Sequence, residues 1–292
     1  MSIDRVVFGD NQFFGINHMS QAKAQEQAER FAKLDSIMAV YDCAIDAGIE
    51  AIMLNSNDRA RDICDRFRAN PVRYGHLRWY PSIPYPHKYA SLVSEKGMVG
   101  ALNEILFAQG AKSALGKMVR GGMAAVTLDA VKLMKMLVDQ EMEIFRDLDV
   151  RVIFLQNVVV DLMLGYDVAE PFVAYCEHIR KRYGAYPGLI TQNMPMLRAK
   201  LIEWGIEGVV ICSSINKIGY LMCPGLEAYD ETFAVNDGEK YPLMAMSTLA
   251  SGAVPPAAAY EYINARNIQS VVFGASSPGN IRQTVSLIEQ KG

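Results

Sequence analysis

Asp10, His18 and His87 are the residues of this chain with the widest chemical reach. A carboxylate and two imidazoles gathered in one place can pass protons near neutral pH, acting as catalytic acid and base, or hold a divalent metal. The chain has four histidines, and these two follow predicted strands, whereas His76 precedes one and His178 lies in a helical stretch between Glu177 and Arg180. No HxH or HExxH spacing marks a metal site. A collar of amides accompanies the set. Asn11, Asn55, Gln156, Gln192, Asn193 and Asn216 each stand at or just past a predicted strand end, where neutral donors and acceptors orient a polar substrate without titrating. Any one of them has a structural alternative, since loop amides also bond nearby backbone. Lys88 and Lys217 lie beyond their strands, where solvent opposes the lowered pKa that Schiff-base chemistry needs. Cys212 and Cys223 have no base close in sequence to activate them.

The elements that would position these groups follow a regular rhythm. Short apolar runs span Arg5 to Gly9, Glu50 to Leu54, Leu77 to Tyr85, Arg151 to Leu155, Gly188 to Thr191, Glu207 to Cys212, Leu243 to Met246 and Ser270 to Phe273. Each ends in a polar or glycine-rich loop, and most lead into a helical stretch. Strand-helix units repeated in this way predict an α/β protein, a (β/α)8 TIM barrel filling residues 1–292 as one domain, whose chemistry sits in the loops after the strands. The competing doubly wound sheet would carry GxGxxG in its first turn, which here reads Gly9-Asp-Asn-Gln-Phe-Phe-Gly15. A helix is expected from about Ser20 to Ala47, stopped by Gly48. The third strand is followed by an unusually long connection, with helical stretches at Tyr89 to Ala108 and Thr127 to Leu148. Between them lies a basic segment holding Lys112, Lys117 and Arg120. Residues 89–148 are therefore expected as a helical insertion at the barrel mouth, a lid or an interface. A second irregular segment is expected from Gly219 to Gly238.

Composition narrows the class of protein. The chain is 51% hydrophobic with a formal net charge of -3, which supplies a large core and no basic field for nucleic acid. No apolar run is long enough to span a bilayer, and the N-terminus has no signal-peptide pattern. A cytoplasmic protein with a small-molecule substrate is expected, with homo-oligomerisation left open. Five cysteines without CxxC spacing argue for reduced thiols.

The last strand leads into Ser276-Ser-Pro-Gly-Asn280. A capping serine and a proline at the first helical position leave free N–H groups and the positive end of a helix dipole near the mouth. Ser276, Ser277 and Arg282 are thus candidates to bind a phosphate or a cofactor, although every helix needs a cap.

Three segments of the second half carry a family likeness. They are Gly188-Leu-Ile-Thr-Gln-Asn193 with its helix Met194-Pro-Met-Leu-Arg-Ala-Lys-Leu201, Leu249-Ala-Ser-Gly-Ala253, and Ser270-Val-Val-Phe-Gly-Ala-Ser-Ser277 continuing to Arg282. In order and spacing this half resembles the aldo-keto reductase family of barrels. The resemblance implies a (β/α)8 fold, NADPH as cofactor and carbonyl reduction by Asp, Tyr, Lys and His from strands two to four. The corresponding positions hold Asn55, Ala60, Ser82 or Pro84, and Gln156. Neither alanine nor an amide carries a transferable proton, so the family's reduction mechanism is not expected. Three readings remain. The first is an enzyme acting on a small polar metabolite, phosphate- or carboxylate-bearing, by acid/base or metal-assisted chemistry. The second is a divergent NADP-dependent oxidoreductase, and the third a non-catalytic binding or assembly subunit. The cofactor is accordingly a divalent metal, NADP or none.

Overall fold

A computed structural model describes residues 2–14, 29–84 and 122–290. Nine parallel strand segments close into a barrel: β1 (Val6–Phe8), β2 (Ala51–Asn55), β3 (Arg78–Ile83), β4 (Asp149–Val150), β5 (Val152–Leu155), β6 (Tyr186–Thr191), β7 (Val210–Ser214), β8 (Leu243–Met246) and β9 (Ser270–Phe273). β4 and β5 follow one another along the same edge of β3, so the ring has eight staves, and β1 closes it by pairing with both β2 and β9.

The strands are apolar on both faces because each face is buried. Side chains alternate across a strand, and one parity fills the barrel: Val7, Ala51, Met53, Tyr80, Val152, Phe154, Ile190, Val210, Cys212 and Met244 form the inner cluster. The other parity, including Phe8, Ile52, Leu54, Trp79, Ile153, Leu189 and Ile211, packs against the helices. Continuing the inner parity towards the strand ends gives Asn55, Ser82, Gln156, Gln192 and Ser214. Polar residues therefore cap an apolar barrel core at its mouth.

Several expected boundaries shift for physical reasons. The helix expected from Ser20 to Ala47 is interrupted: Glu29 and Arg30 are helical, a turn follows at residues 31–33, and a helix runs from Leu34 to Asp46, while residues 15–28 lie outside the described residues. Lys33 is extended ahead of it because Phe31 turns into the core against Phe13, with ring centroids 5.1 Å apart, and gives its carbonyl to Arg59. The expected sixth strand is displaced to Val210–Ser214, following a turn in which Gly208 has φ +71°. The segment from Gly219 to Gly238 is not irregular throughout: Leu226–Val235 is a helix that buries Tyr229, Thr232 and Phe233. Of the expected insertion, residues 89–121 lie outside the described residues. Its remainder is a helix, Gly122–Met142, ending in the turn Glu143–Phe145 that buries Ile144 and Phe145. This helix belongs to the outer ring, where Asp139 accepts from Tyr183 at 2.5 Å and lies 2.7 Å from His178 Nε2. Among the described residues, no helix is long and apolar enough to cross a membrane.

One glycine is fixed by the inner packing. Gly188 is paired in register with Phe154, and a Cβ at Gly188 would stand 2.4 Å from the Phe154 ring. Gly188→Ala should lower stability by about 1–3 kcal/mol through overpacking, as measured by urea unfolding. Adding Phe154→Leu should return part of that loss; equal stability of Gly188→Ala and the parent chain would contradict this packing.

Candidate active site at the barrel mouth

The site starts from the end of β1. Gly9 N donates to the Phe273 carbonyl at 2.8 Å, and the chain then turns through Asn11–Phe13, with Phe13 N donating to the Asp10 carbonyl at 2.9 Å. Phe13, buried against Phe8, Phe31 and Tyr41, anchors this turn. Asp10 consequently faces the end of β2. Its Oδ2 accepts from Asn55 N at 3.0 Å and from Asn57 Nδ2 at 3.3 Å, and its Oδ1 from Asn55 Nδ2 at 2.6 Å.

Asp10 is 2% exposed. Burial raises its pKa from 3.8 to about 6, outweighing the hydrogen bonds from Asn55, which favour the carboxylate. No cation shares its hydrogen bonds among the described residues. The buried Tyr41 hydroxyl has no hydrogen-bond partner among the described residues, and its pKa is raised first by burial and then by the nearby charge of Asp10. This side of the mouth therefore holds a carboxyl group whose burial favours its neutral form.

The polar contacts extend across the mouth. Gln156 Nε2 donates to Asn55 Oδ1 at 2.6 Å and to Ser82 Oγ at 2.5 Å. The resulting arc, Asp10–Asn55–Gln156–Ser82, joins residues from the ends of β1, β2, β3 and β5. On the opposite side, Ser214 Oγ is buried without a hydrogen-bond partner among the described residues. A neighbouring cluster begins at Asp161, which accepts from Thr191 Oγ1 at 2.5 Å and Gln192 N at 3.1 Å; burial raises its pKa.

The sequence candidates are thus divided. Asp10, Asn55 and Gln156 come together, while His18 and His87 lie outside the described residues. Asn11 and Gln192 are exposed on the rim. Asn193 caps the helix Met194–Glu203, accepting from Met196 N at 3.2 Å. Asn216 holds its own loop, donating to the Tyr220 carbonyl at 2.8 Å and accepting from Tyr220 N at 2.8 Å. Ser277 caps the helix Pro278–Glu289, accepting from Asn280 N at 3.3 Å. Arg282 is exposed and lines a groove with Asp46, Ala47 and Gly48.

Some contributors are absent from the sequence candidates. Asn57 belongs to the same loop as Asn55, and Ser82 shares the inward parity of Tyr80; both signals are present in the sequence. Arg30 has no such signal. It reaches the final loop from a distant segment, donating to the Ser276 carbonyl at 2.9 Å and approaching Ser276 Oγ at 3.4 Å.

The donor sets decide which groups these sites suit. Three N–H donors face Asp10 and orient its carboxyl group. Among the described residues, no three His, Cys, Asp or Glu side chains gather to hold a metal. Arg30 beside Ser276, with open space next to Gly279 at the helix start, fits an anionic group such as a phosphate.

No protein-family model matches the chain, and no curated protein is similar to it in sequence. Solved structures are similar in fold. An aldo-keto reductase of Bacillus halodurans, in its holo form, superposes with a TM-score of 0.56 and 12% identity, covering 98% of this chain and 86% of that one. For an aldo-keto reductase from a Medee basin deep-sea metagenome library the TM-score is 0.54 and the identity 10%, with 89% and 83% covered. An aldo/keto reductase of Brucella melitensis gives 0.52 and 11%, with 97% and 88% covered. At these identities the likeness is one of architecture: the chain is a (β/α)8 barrel similar in fold to these aldo-keto reductases.

Proposed function

We propose that this barrel is an enzyme that binds a small polar metabolite at its mouth and moves a proton to or from it with Asp10. The observation that carries the proposal is a carboxyl at the end of β1 that is 2% exposed and held by three N–H donors with no cation among its described partners; burial pushes its pKa up to about 6, and an effective acid or base titrates close to the working pH. As a base, Asp10 would accept a proton while ionised and return it while neutral. Asn55 stabilises its charged form, and the other polar groups of the arc would orient hydroxyl or carbonyl groups of the ligand. His18 and His87 are proposed as further proton-transfer groups, and with Asp10 they form the metal-assisted variant of this reading. The aldo-keto reductase-type architecture is compatible with both.

A second reading is favoured by Arg30 and the capped start of the final helix. A phosphate or carboxylate bound there would tether the metabolite. Alternatively it would belong to NADP, making the chain a divergent oxidoreductase of aldo-keto reductase type. Ser276, Ser277 and Arg30 would hold the phosphate, and the reduced cofactor NADPH, when bound, would supply the hydride and leave as NADP+. What the chain itself contributes is a cation and a helix dipole at one rim, and a buried carboxyl within the mouth.

The first reading is tested with a panel of phosphorylated and carboxylated hydroxy and keto compounds in D2O, following deuterium incorporation by NMR. Asp10→Asn should reduce exchange by about 100-fold or more, and the parent rate should fall about tenfold per unit below pH 6 as the base becomes protonated. Unaltered exchange in Asp10→Asn would refute the role of Asp10. His18→Ala and His87→Ala should each abolish turnover while leaving the circular dichroism spectrum unchanged; full activity in both would remove the histidines from the scheme. For the second reading, NADPH fluorescence should change on titration, with about tenfold weaker binding in Arg30→Ala. No response at about millimolar cofactor would reject NADP, a level near the weak end of ordinary affinities.

A further inference from the structure

We infer that the end of the barrel opposite the mouth carries a second binding site, where Arg5 takes the carboxylate of a small organic acid. The site stands apart from the proposed role of Asp10. Arg5 immediately precedes β1 and Gln269 immediately precedes β9, so both lie where these parallel strands begin. The Arg5 carbonyl accepts from Val271 N at 2.9 Å, which places the residue on the seam that closes the ring. Beside it is a cavity of about 670 Å³, whose lining includes Ile3, Arg5, Asn264, Ile268, Gln269 and Glu289. That volume is ordinary for a small-molecule site. Met1, Lys291 and Gly292 lie outside the described residues and form no part of the site.

Arg5 is the cation of this cavity whose bonding is incomplete. Its Nη1 donates to the Ile268 carbonyl and its Nη2 to Asn264 Oδ1, each at 2.6 Å. A guanidinium has five N–H bonds. One on each Nη atom therefore has no acceptor among the described residues, and Nε is buried without a partner. No carboxylate pairs with Arg5 among the described residues. Asp4, next to it in the chain, is taken by Arg78 at 2.5 Å and by the Tyr80 hydroxyl at 2.6 Å. The two acceptors that Arg5 does have are neutral, and burial lowers its pKa with no opposing carboxylate to raise it. A cation held partly out of water without a counter-ion is what an arriving anion neutralises.

The other polar groups of the cavity are already engaged. Arg266 gives Nε and Nη2 to Asp230 and lies over the Tyr262 ring. Gln269 accepts from Leu243 N and donates to Asn267 Oδ1, while Asn264 Nδ2 donates to the Leu287 and Gln290 carbonyls. Asn264 thus holds Arg5 with one end of its amide and the helix Pro278–Glu289 with the other. A guanidinium fixed in this way matches the planar fork of a carboxylate. Glu289, exposed at the cavity wall, discriminates within the anions, since its charge opposes a doubly charged phosphate more than a singly charged carboxylate. Ile3 and Ile268 add apolar wall, which suits an acid with a short hydrocarbon body. Occupancy adds an interaction at the closing seam and so raises thermal stability.

The test titrates the full chain, labelled with 15N, with butyrate at about pH 7, where that acid is ionised. Butyramide, its neutral isostere, and inorganic phosphate are titrated in parallel at constant ionic strength. Butyrate should produce saturable shifts of the Arg5 Nε–H, the Asn264 side-chain amide and the Ile268 backbone amide, whether or not the amides of the mouth also respond. Affinity at these positions should be at least about tenfold weaker for butyramide, which lacks the charge, and weaker for phosphate than for butyrate. Butyrate should raise the melting temperature and butyramide should not. Arg5→Gln should remove the saturable shifts, and Glu289→Gln should tighten phosphate more than butyrate. Shifts that fail to saturate by about 100 mM butyrate, far above an ordinary weak Kd of about 1 mM, would overturn the inference. So would equal affinity for butyramide, or phosphate bound as tightly as butyrate. The titrations of the parent chain decide the matter even where Arg5→Gln does not fold.

Discussion

β1 is three residues long, yet it is hydrogen-bonded on both edges, to β2 through Phe8 and Ile52 and to β9 through Val6, Val7 and Phe8. Its position joins the first and last parts of the chain and closes the ring. Closure without an unpaired edge allows strands that are apolar on both faces to be buried entirely. It also brings the ends of the parallel strands to one mouth. Asp10 lies just beyond the closing strand, between the β2 loop that solvates it and the final loop that Arg30 reaches.

The electrostatics of Asp10 follow from this placement. Three amide N–H groups favour its charged form, yet complete burial outweighs them, and the change in pKa from 3.8 to about 6 corresponds to about 3 kcal/mol favouring the neutral acid. An arginine or lysine in direct contact would reverse that balance. The described partners are instead amides, which orient the carboxyl without fixing its charge. In the proposed reading, a mouth built in this way holds a proton or releases it near neutrality.

Much of this architecture was legible from the order of residues, and the exceptions have a common cause. β8 and β9 coincide with their apolar runs, which Pro242 and Ser247 bound in one case and Gln269 and Gly274 in the other. Asp10, Asn55 and Gln156 could be nominated because strand ends mark the mouth of a barrel, and Ser82 was accessible by the same parity. The break before Leu34 was not legible, since it depends on Phe31 meeting Phe13 and Arg59 across the fold. Arg30 was hidden within a helical pattern and meets Ser276 only in the closed barrel. Asn193 and Asn216 show the reverse case: their position near strand ends resembled that of Asn55, but their side chains are engaged in capping and in holding a loop. Spacing locates the mouth, whereas the partner of each amide depends on chain segments far away in sequence.

The central claim is that Asp10 is a buried carboxyl poised near neutral pH. Infrared difference spectroscopy of the intact chain tests it most directly, because a protonated carboxylic acid has a C=O band separate from that of a carboxylate. The account predicts such a band at about pH 5 that disappears by about pH 7, as expected for a midpoint near 6, and that is missing from Asp10→Asn. A spectrum showing no Asp10-dependent acid band at about pH 5, where an ordinary aspartate is already ionised, would contradict it.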